Sequence, residues 1–178
     1  MLKKLFSKDD IAEAVRRLAR SIEKDFPNEE ILLVCLLKGS FMFTADLIRN
    51  IGNNVRIDFM RVSSYGNSMK SKGYINITKD LEEDIKGQNV IIVEDIIDSG
   101  LTLKSIRKLL QARKPKKLKI CALIDKKAGR EAKIEGDYIG MAVDDGFIVG
   151  YGIDYAEQYR NLPDIYIIEN GASEGRTI

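Results

Sequence analysis

The sequence predicts an α/β fold with a mostly parallel central sheet flanked by helices, organised as a single domain over residues 1–178. Three observations lead there. Segment 31–37 is continuously apolar, and 89–93 and 118–124 are apolar apart from Asn89 and Lys119, as strands are when both faces of their sheet are covered. Segments with helical spacing of apolar residues alternate with them. The same strands run into polar turns, Lys38-Gly39-Ser40, the stretch 94–102 and Asp125-Lys126-Lys127. Ligands on such sheets sit beyond the carboxyl ends of the strands.

The elements follow in order. Ser7 and Asp10 form a capping-box-like start, and Ile11, Val15, Leu18 and Ile22 recur at helical spacing until Pro27-Asn28 ends the unit. After the strand at 31–37, a helix is expected over 41–50 with Phe43, Leu47 and Ile48 inward. Residues 55–63 read as a strand. The polar stretch 64–73 holds two glycines and is expected to be a flexible loop, with a returning strand over 74–78. The strand at 89–93 leads into an acidic, then glycine-containing turn over 94–102. A helix is expected over 103–112, ended by Pro115, before the strand at 118–124. Residues 138–143, 147–149 and 165–168 read as shorter strands. The tail 171–178 is expected to fray.

Composition removes whole classes of chemistry. The 178 residues include no histidine, which excludes Ser-His-Asp and Cys-His catalysis and any histidine-ligated metal. Twenty-nine Lys and Arg against 27 Asp and Glu leave a net charge of +2, no basis for a nucleic-acid partner. Cys35 and Cys121 lie inside apolar runs without CxxC spacing and are expected to be buried thiols. The basic N-terminus lacks the apolar core of a signal peptide. The longest apolar run is too short to span a bilayer. A soluble, cytoplasmic protein with no membrane partner is expected.

The sharpest feature is Val93-Glu94-Asp95-Ile96-Ile97-Asp98-Ser99-Gly100-Leu101-Thr102. Three carboxylates within five residues follow a buried strand. Hydroxyls and a glycine then lead into a helix whose N-terminus suits a phosphate. The segment is neither GxxxxGK[ST] nor GxGxxG. Glu94 and Asp95 could accept from a ribose diol, directly or through Mg2+.

This segment resembles the 5-phosphoribosyl-1-pyrophosphate (PRPP) signature of the type I phosphoribosyltransferases, and most of all that of their bacterial hypoxanthine(-guanine) branch. Leu37-Lys38-Gly39-Ser40, Ser63-Ser64-Tyr65-Gly66, Ala122-Leu123-Ile124-Asp125-Lys126 and the stretch from Phe147 to Arg160 match it in the same order. The resemblance covers about residues 31–168. It implies the type I phosphoribosyltransferase fold, with a small hood formed by the N-terminal segment and the C-terminal part. The implied activity is purine salvage: transfer of 5-phosphoribosyl from PRPP to hypoxanthine, and guanine, giving IMP or GMP and pyrophosphate.

Residue by residue, the resemblance makes Asp98 the general base. Glu94, Asp95, Asp98, Ser99, Gly100, Leu101 and Thr102 become the phosphoribosyl and 5′-phosphate site, and Lys38, Gly39 and Arg160 the pyrophosphate site. It assigns Lys126, Phe147, Ile148 and Asp154 to the purine, Ser64 and Tyr65 to a closing loop, and Glu94, Asp95 and Asp154 to Mg2+. It also implies a non-proline cis peptide bond at Lys38-Gly39, and a homodimer or homotetramer. Gly146 stands where some relatives carry lysine. Lys126 as a fixed cationic donor favours a 6-oxo over a 6-amino purine. Two other readings stay open: a PRPP-binding regulator of the same fold, and the same transfer with xanthine as preferred base.

Overall fold

The computed structural model describes residues 1–64 and 75–169. A six-stranded sheet runs in the order β4-β3-β2-β5-β6-β7. Its strands are β2 (Ile31–Leu37), β3 (Val55–Ser64), β4 (Ile75–Lys79), β5 (Asn89–Ile97), β6 (Lys117–Lys126) and β7 (Tyr138–Val143). All neighbouring pairs are parallel except β3 with β4. The helices are α1 (Lys8–Asp25), α2 (Phe41–Asn50) and α3 (Leu101–Ala112).

Continuous apolarity has a direct structural cause. Ile31, Leu33, Ile91, Val93, Cys121 and Leu123 pack with Ile11, Val15, Leu18 and Ile22 of α1 and Phe43 and Leu47 of α2. The intervening Leu32, Val34, Val90, Ile92, Ile120 and Ala122 pack with Leu103, Ile106 and Leu110 of α3. Strand side chains alternate faces, so helices on both sides favour apolar residues along the middle of each strand. Each buried Leu or Ile contributes about 1.5–3 kcal/mol of transfer free energy. Cys35 and Cys121 are both buried and unbonded. Each lies opposite Val93, one strand to either side, which separates them by about 9.6 Å, too far for a disulfide.

Helix α1 opens as its sequence indicates. The Asp10 amide donates to Ser7 Oγ at 3.2 Å and the Ser7 amide to Asp10 Oδ2 at 2.9 Å, satisfying two donors that the first turn leaves unpaired.

A second, antiparallel sheet has the order β1-β9-β8, from β1 (Leu2–Phe6), β8 (Phe147–Val149) and β9 (Ile165–Ile168). It joins the chain ends into the hood: Leu2 faces Ile168, and the N-terminal ammonium donates to Glu169 O at 3.0 Å. Asp164 fastens this sheet to α1 by accepting from the Lys8 amide at 2.7 Å and pairing with Lys4 at 2.6 Å. Strand β1 is absent from the sequence reading because Leu-Lys-Lys-Leu-Phe has no clear alternation; its order comes from pairing with β9.

Several boundaries differ from expectation: β6 runs on through Asp125 and Lys126, which were expected in a turn, and β4 spans Ile75–Lys79. The acidic residues Glu94 and Asp95 belong to β5, not to a turn: pairing with β6 continues from Glu94 opposite Ala122 to Ile97 opposite Asp125. Helix α3 begins at Leu101 rather than 103, so only Asp98-Ser99-Gly100 separates it from the strand.

Candidate active site

The three-residue connection after β5 is tight, and Gly100 makes it possible. Its φ is +76°, and a Cβ there would lie 2.5 Å from Ile134 Cγ2. Both the left-handed backbone and the close approach require glycine. Ser99 turns its carbonyl to the Glu131 and Ala132 amides, each at 3.0 Å. Gly100 at the N-cap has no side chain to cap α3 and the first turn carries no acid; the Leu101 amide makes only a long bond to Ser99 Oγ, at 3.4 Å, so this positive helix end can receive an anion. Leu101 is 45% exposed, and Thr102 follows it in that first turn.

Asp98 lies beside Lys126. Lys126 Nζ donates to Asp98 Oδ2 at 3.1 Å and stands 3.9 Å from Asp145. The Lys126 side chain is only 14% exposed and that of Asp98 50%. An ammonium has three donors, so Lys126 can hold Asp98 and still donate to a carbonyl on a ligand.

One step back along β5, Asp95 meets the loop after β2. A Cβ on Gly39 would fall 1.7 Å from Asp95 Oδ2, so glycine at position 39 is what lets the carboxylate reach this loop. The non-proline cis peptide is Leu37-Lys38, one residue earlier than the Lys38-Gly39 bond expected from the resemblance. Ser40 is buried and donates to Leu36 O at 2.6 Å, which makes it part of the turn's framework.

The other half of the site comes from the hood. Gly152 packs on the same loop, where its Cβ would lie 2.4 Å from Gly39 O. Arg160 donates to Gly152 O at 2.8 Å and pairs with Asp154 at 2.7 Å. Lys38 and Arg160, the two cations matched to pyrophosphate, both face Glu157, at 2.8 and 3.4 Å. Phe147 is 58% exposed, which rules out a core role and leaves a ring face for stacking. Its ring meets Tyr155 edge-on, with centroids 6.1 Å apart. Ile148 is buried beside it in β8. Ser64 ends β3, whereas Tyr65 and most of the expected closing loop lie outside the described residues.

Tyr155 and Glu157 were not singled out from the sequence. They sit where Tyr151, Ala156, Glu157 and Tyr159 all take positive φ, from 51° to 73°. Non-glycine residues rarely do so and cluster at functional loops when they do. No residue-type signal marks such a loop.

Burial, together with the adjacent Asp95 charge, pushes the Glu94 carboxyl well above the usual carboxylate range. A cation between two adjacent acids would relieve that cost. Among the described residues no three carboxylates or thiols gather into a metal site, so Glu94, Asp95 and Asp154 are not one preformed ligand set. The oxygen donors still suit Mg2+, which commonly takes one or two carboxylates and completes its shell with water and substrate phosphates.

A mostly parallel sheet whose carboxyl ends carry an acid pair, a helix start and a glycine loop fits a phosphoribosyltransferase. The family model described as the phosphoribosyl transferase domain matches residues 2–156. The hypoxanthine-guanine phosphoribosyltransferase of Aquifex aeolicus is 48% identical over 95% of this chain and 96% of that protein. Its Bacillus subtilis namesake is 45% identical over 97% and 96%. A crystal structure of a hypoxanthine-guanine phosphoribosyltransferase from Bacillus anthracis superposes with a TM-score of 0.91, at 49% identity, over 95% of this chain and all of that one. The chain therefore belongs to the phosphoribosyltransferase family, in its hypoxanthine-guanine branch.

Proposed function

We propose that this chain is a purine salvage enzyme that transfers 5-phosphoribosyl from PRPP to hypoxanthine, and also to guanine, with release of pyrophosphate. The observation that carries the reading is the 3.1 Å contact between Asp98 and Lys126, beside the start of α3. It supports a reading in which Asp98 is the proton acceptor and Lys126 the donor to the purine 6-oxo group, next to a phosphate cradle.

The roles follow from the chemistry. The 5′-phosphate takes the main-chain amides of Ser99, Gly100, Leu101 and Thr102. Glu94 and Asp95 accept from the ribose hydroxyls. Lys126 donates to O6, Phe147 stacks on the ring, and Ile148 presents its main chain to the other purine edge. Asp98 accepts the proton from the base nitrogen as that nitrogen attacks C1′, and its negative charge favours the cationic sugar of the transition state. Pyrophosphate leaves toward Lys38, Gly39 and Arg160, whose cations replace their contacts with Glu157 by contacts with the departing group. Glu94, Asp95 and Asp154 are the residues to hold Mg2+, which when bound with PRPP supplies charge neutralisation at the diphosphate. Ser64 and Tyr65 close over the reacting atoms and exclude water.

A cytoplasmic location and self-association as a dimer or tetramer accompany this reading, and no helix among the described residues is long and apolar enough to cross a membrane. Sedimentation of the purified chain tests the assembly. The decisive experiment compares hypoxanthine, guanine, xanthine and adenine at saturating PRPP and Mg2+. The reading expects IMP and GMP formation and poor use of adenine. PRPP binding with no nucleotide formed would select a regulator of the same fold instead, and xanthine as the best base would correct the substrate.

A further inference from the structure

We propose that Arg130, in the turn after β6, is a positioning residue that fixes the spacing between Asp98 and Lys126. The inference rests on the function proposed above and adds to it the device that keeps its two central side chains in register.

The guanidinium reaches five oxygens on three segments. Its Nε donates to Asp98 O at 2.9 Å. Its Nη2 faces Ile97 O at 3.2 Å and Lys126 O at 3.2 Å. Its Nη1 donates to Ile134 O at 2.7 Å, and the Asp125 carboxylate pairs with its charge. The carbonyls of both functional residues, 98 and 126, are thus held by one rigid plane. The same turn also grips Ser99, whose carbonyl takes the Glu131 and Ala132 amides. Only arginine places donors on three nitrogens of one fixed fork, the two protons of Nη2 being shared among three of these oxygens. A lysine here could satisfy three acceptors at most, and a glutamine two. Both side chains of the Arg130–Asp125 pair are 20% exposed, so water replaces the lost bonds poorly.

Arg130 therefore acts through Asp98 and Lys126 and not on the substrate. Losing it lets the ends of β5 and β6 drift apart. A displacement of about 1 Å at reacting groups lowers turnover about 100-fold.

The test measures IMP formation by wild type, Arg130→Gln and Arg130→Lys, each also in an Asp98→Asn background, with adenine as competing base. Arg130→Gln is expected to lower kcat about 100-fold, raise the KM for hypoxanthine and narrow the preference over adenine, with the KM for PRPP little changed. Arg130→Lys should recover part of the loss. In the Asp98→Asn background Arg130→Gln should add little, because two residues acting as one unit are not additive.

Wild-type kcat in folded Arg130→Gln overturns the inference. So does a full multiplication of the two losses, which marks a merely structural clasp. If Arg130→Gln fails to fold, Arg130→Lys carries the test, since it keeps a cation beside Asp125 and gives up most of the main-chain bonds. A lowered kcat that is not lowered further on Asp98→Asn supports the inference, and a wild-type kcat overturns it. Failure of the wild type itself to form IMP would instead overturn the function reading.

Discussion

Replacing Lys126 by alanine isolates the interaction proposed to select the base. In the free protein its ammonium lies 3.1 Å from Asp98. That acid is half exposed, so the pair contributes at most about 1 kcal/mol to folding. With hypoxanthine bound, a second ammonium proton faces O6. A hydrogen bond from a charged donor contributes about 1.5–3 kcal/mol. Lys126→Ala should therefore weaken hypoxanthine binding roughly 10- to 150-fold, at 1.4 kcal/mol per decade. Adenine presents N–H donors at the same edge and meets the ammonium donor to donor, so the substitution should improve adenine relative to hypoxanthine. Steady-state kinetics with both bases at saturating PRPP, alongside thermal unfolding, provides the assay. The expected pattern is a large rise in hypoxanthine KM, reduced discrimination and a small change in unfolding temperature. An unchanged base profile would refute the assignment of Lys126 to O6, and equal losses for both bases would place it in general binding.

Three further outcomes are expected. Asp98→Asn should bind PRPP normally and lose about 10²- to 10⁴-fold in turnover, the range for a removed general base; near-normal turnover takes Asp98 out of that role. Glu157→Gln should lower the KM for PRPP two- to fivefold or so, because each exposed ion pair that pyrophosphate must displace holds about 0.2–1 kcal/mol, and an unchanged or higher KM contradicts the competition among Lys38, Arg160 and Glu157. Glu94→Gln should stabilise the free protein at alkaline pH. The folded-state pKa of Glu94 is raised by burial and Asp95; as pH climbs from the unfolded value of about 4.3, the unfolded chain releases this proton before the folded one does, and folding stability falls. The gain in unfolding temperature should thus grow with pH and shrink toward about pH 4; a pH-independent gain would deny the shift.

The parts of this molecule that were legible in the sequence are those where chemistry and pattern coincide. Segments 31–37, 89–93 and 118–124 read as strands because burial on both faces makes their middles almost wholly apolar, and α1 announces itself through Ser7 and Asp10. The acids Glu94 and Asp95 misled the boundary of β5 because two charges resemble a turn, whereas β6 keeps pairing past them. Strand β1 could not be read, since its order depends on β9 at the far end of the chain. Glu157 and Tyr155 depend on left-handed backbone at non-glycine residues, which side-chain type does not encode. Arg130 was hidden for another reason: four of its five partners are carbonyl oxygens, and every residue has one.

Strand register then explains why an acid and a lysine 28 residues apart come to share a site. Parallel pairing of β5 with β6 sets Ile92 against Ile120, Val93 against Cys121, and so on to Ile97 against Asp125. The next step of that ladder is Asp98 beside Lys126. Adjacent strands lie about 4.8 Å apart, a gap that one long and one short side chain close to the observed 3.1 Å. A slip of one residue would send each β6 side chain to the opposite face, pointing Lys126 away and turning the apolar alternation of 118–124 against its helices. The core that demands apolar residues on both faces of β6 therefore also enforces the pairing of the two functional groups. What the core leaves free is the fraying of strand ends beyond the last ladder bond, and that is the point at which the Arg130 fork binds residues 97, 98 and 126 together.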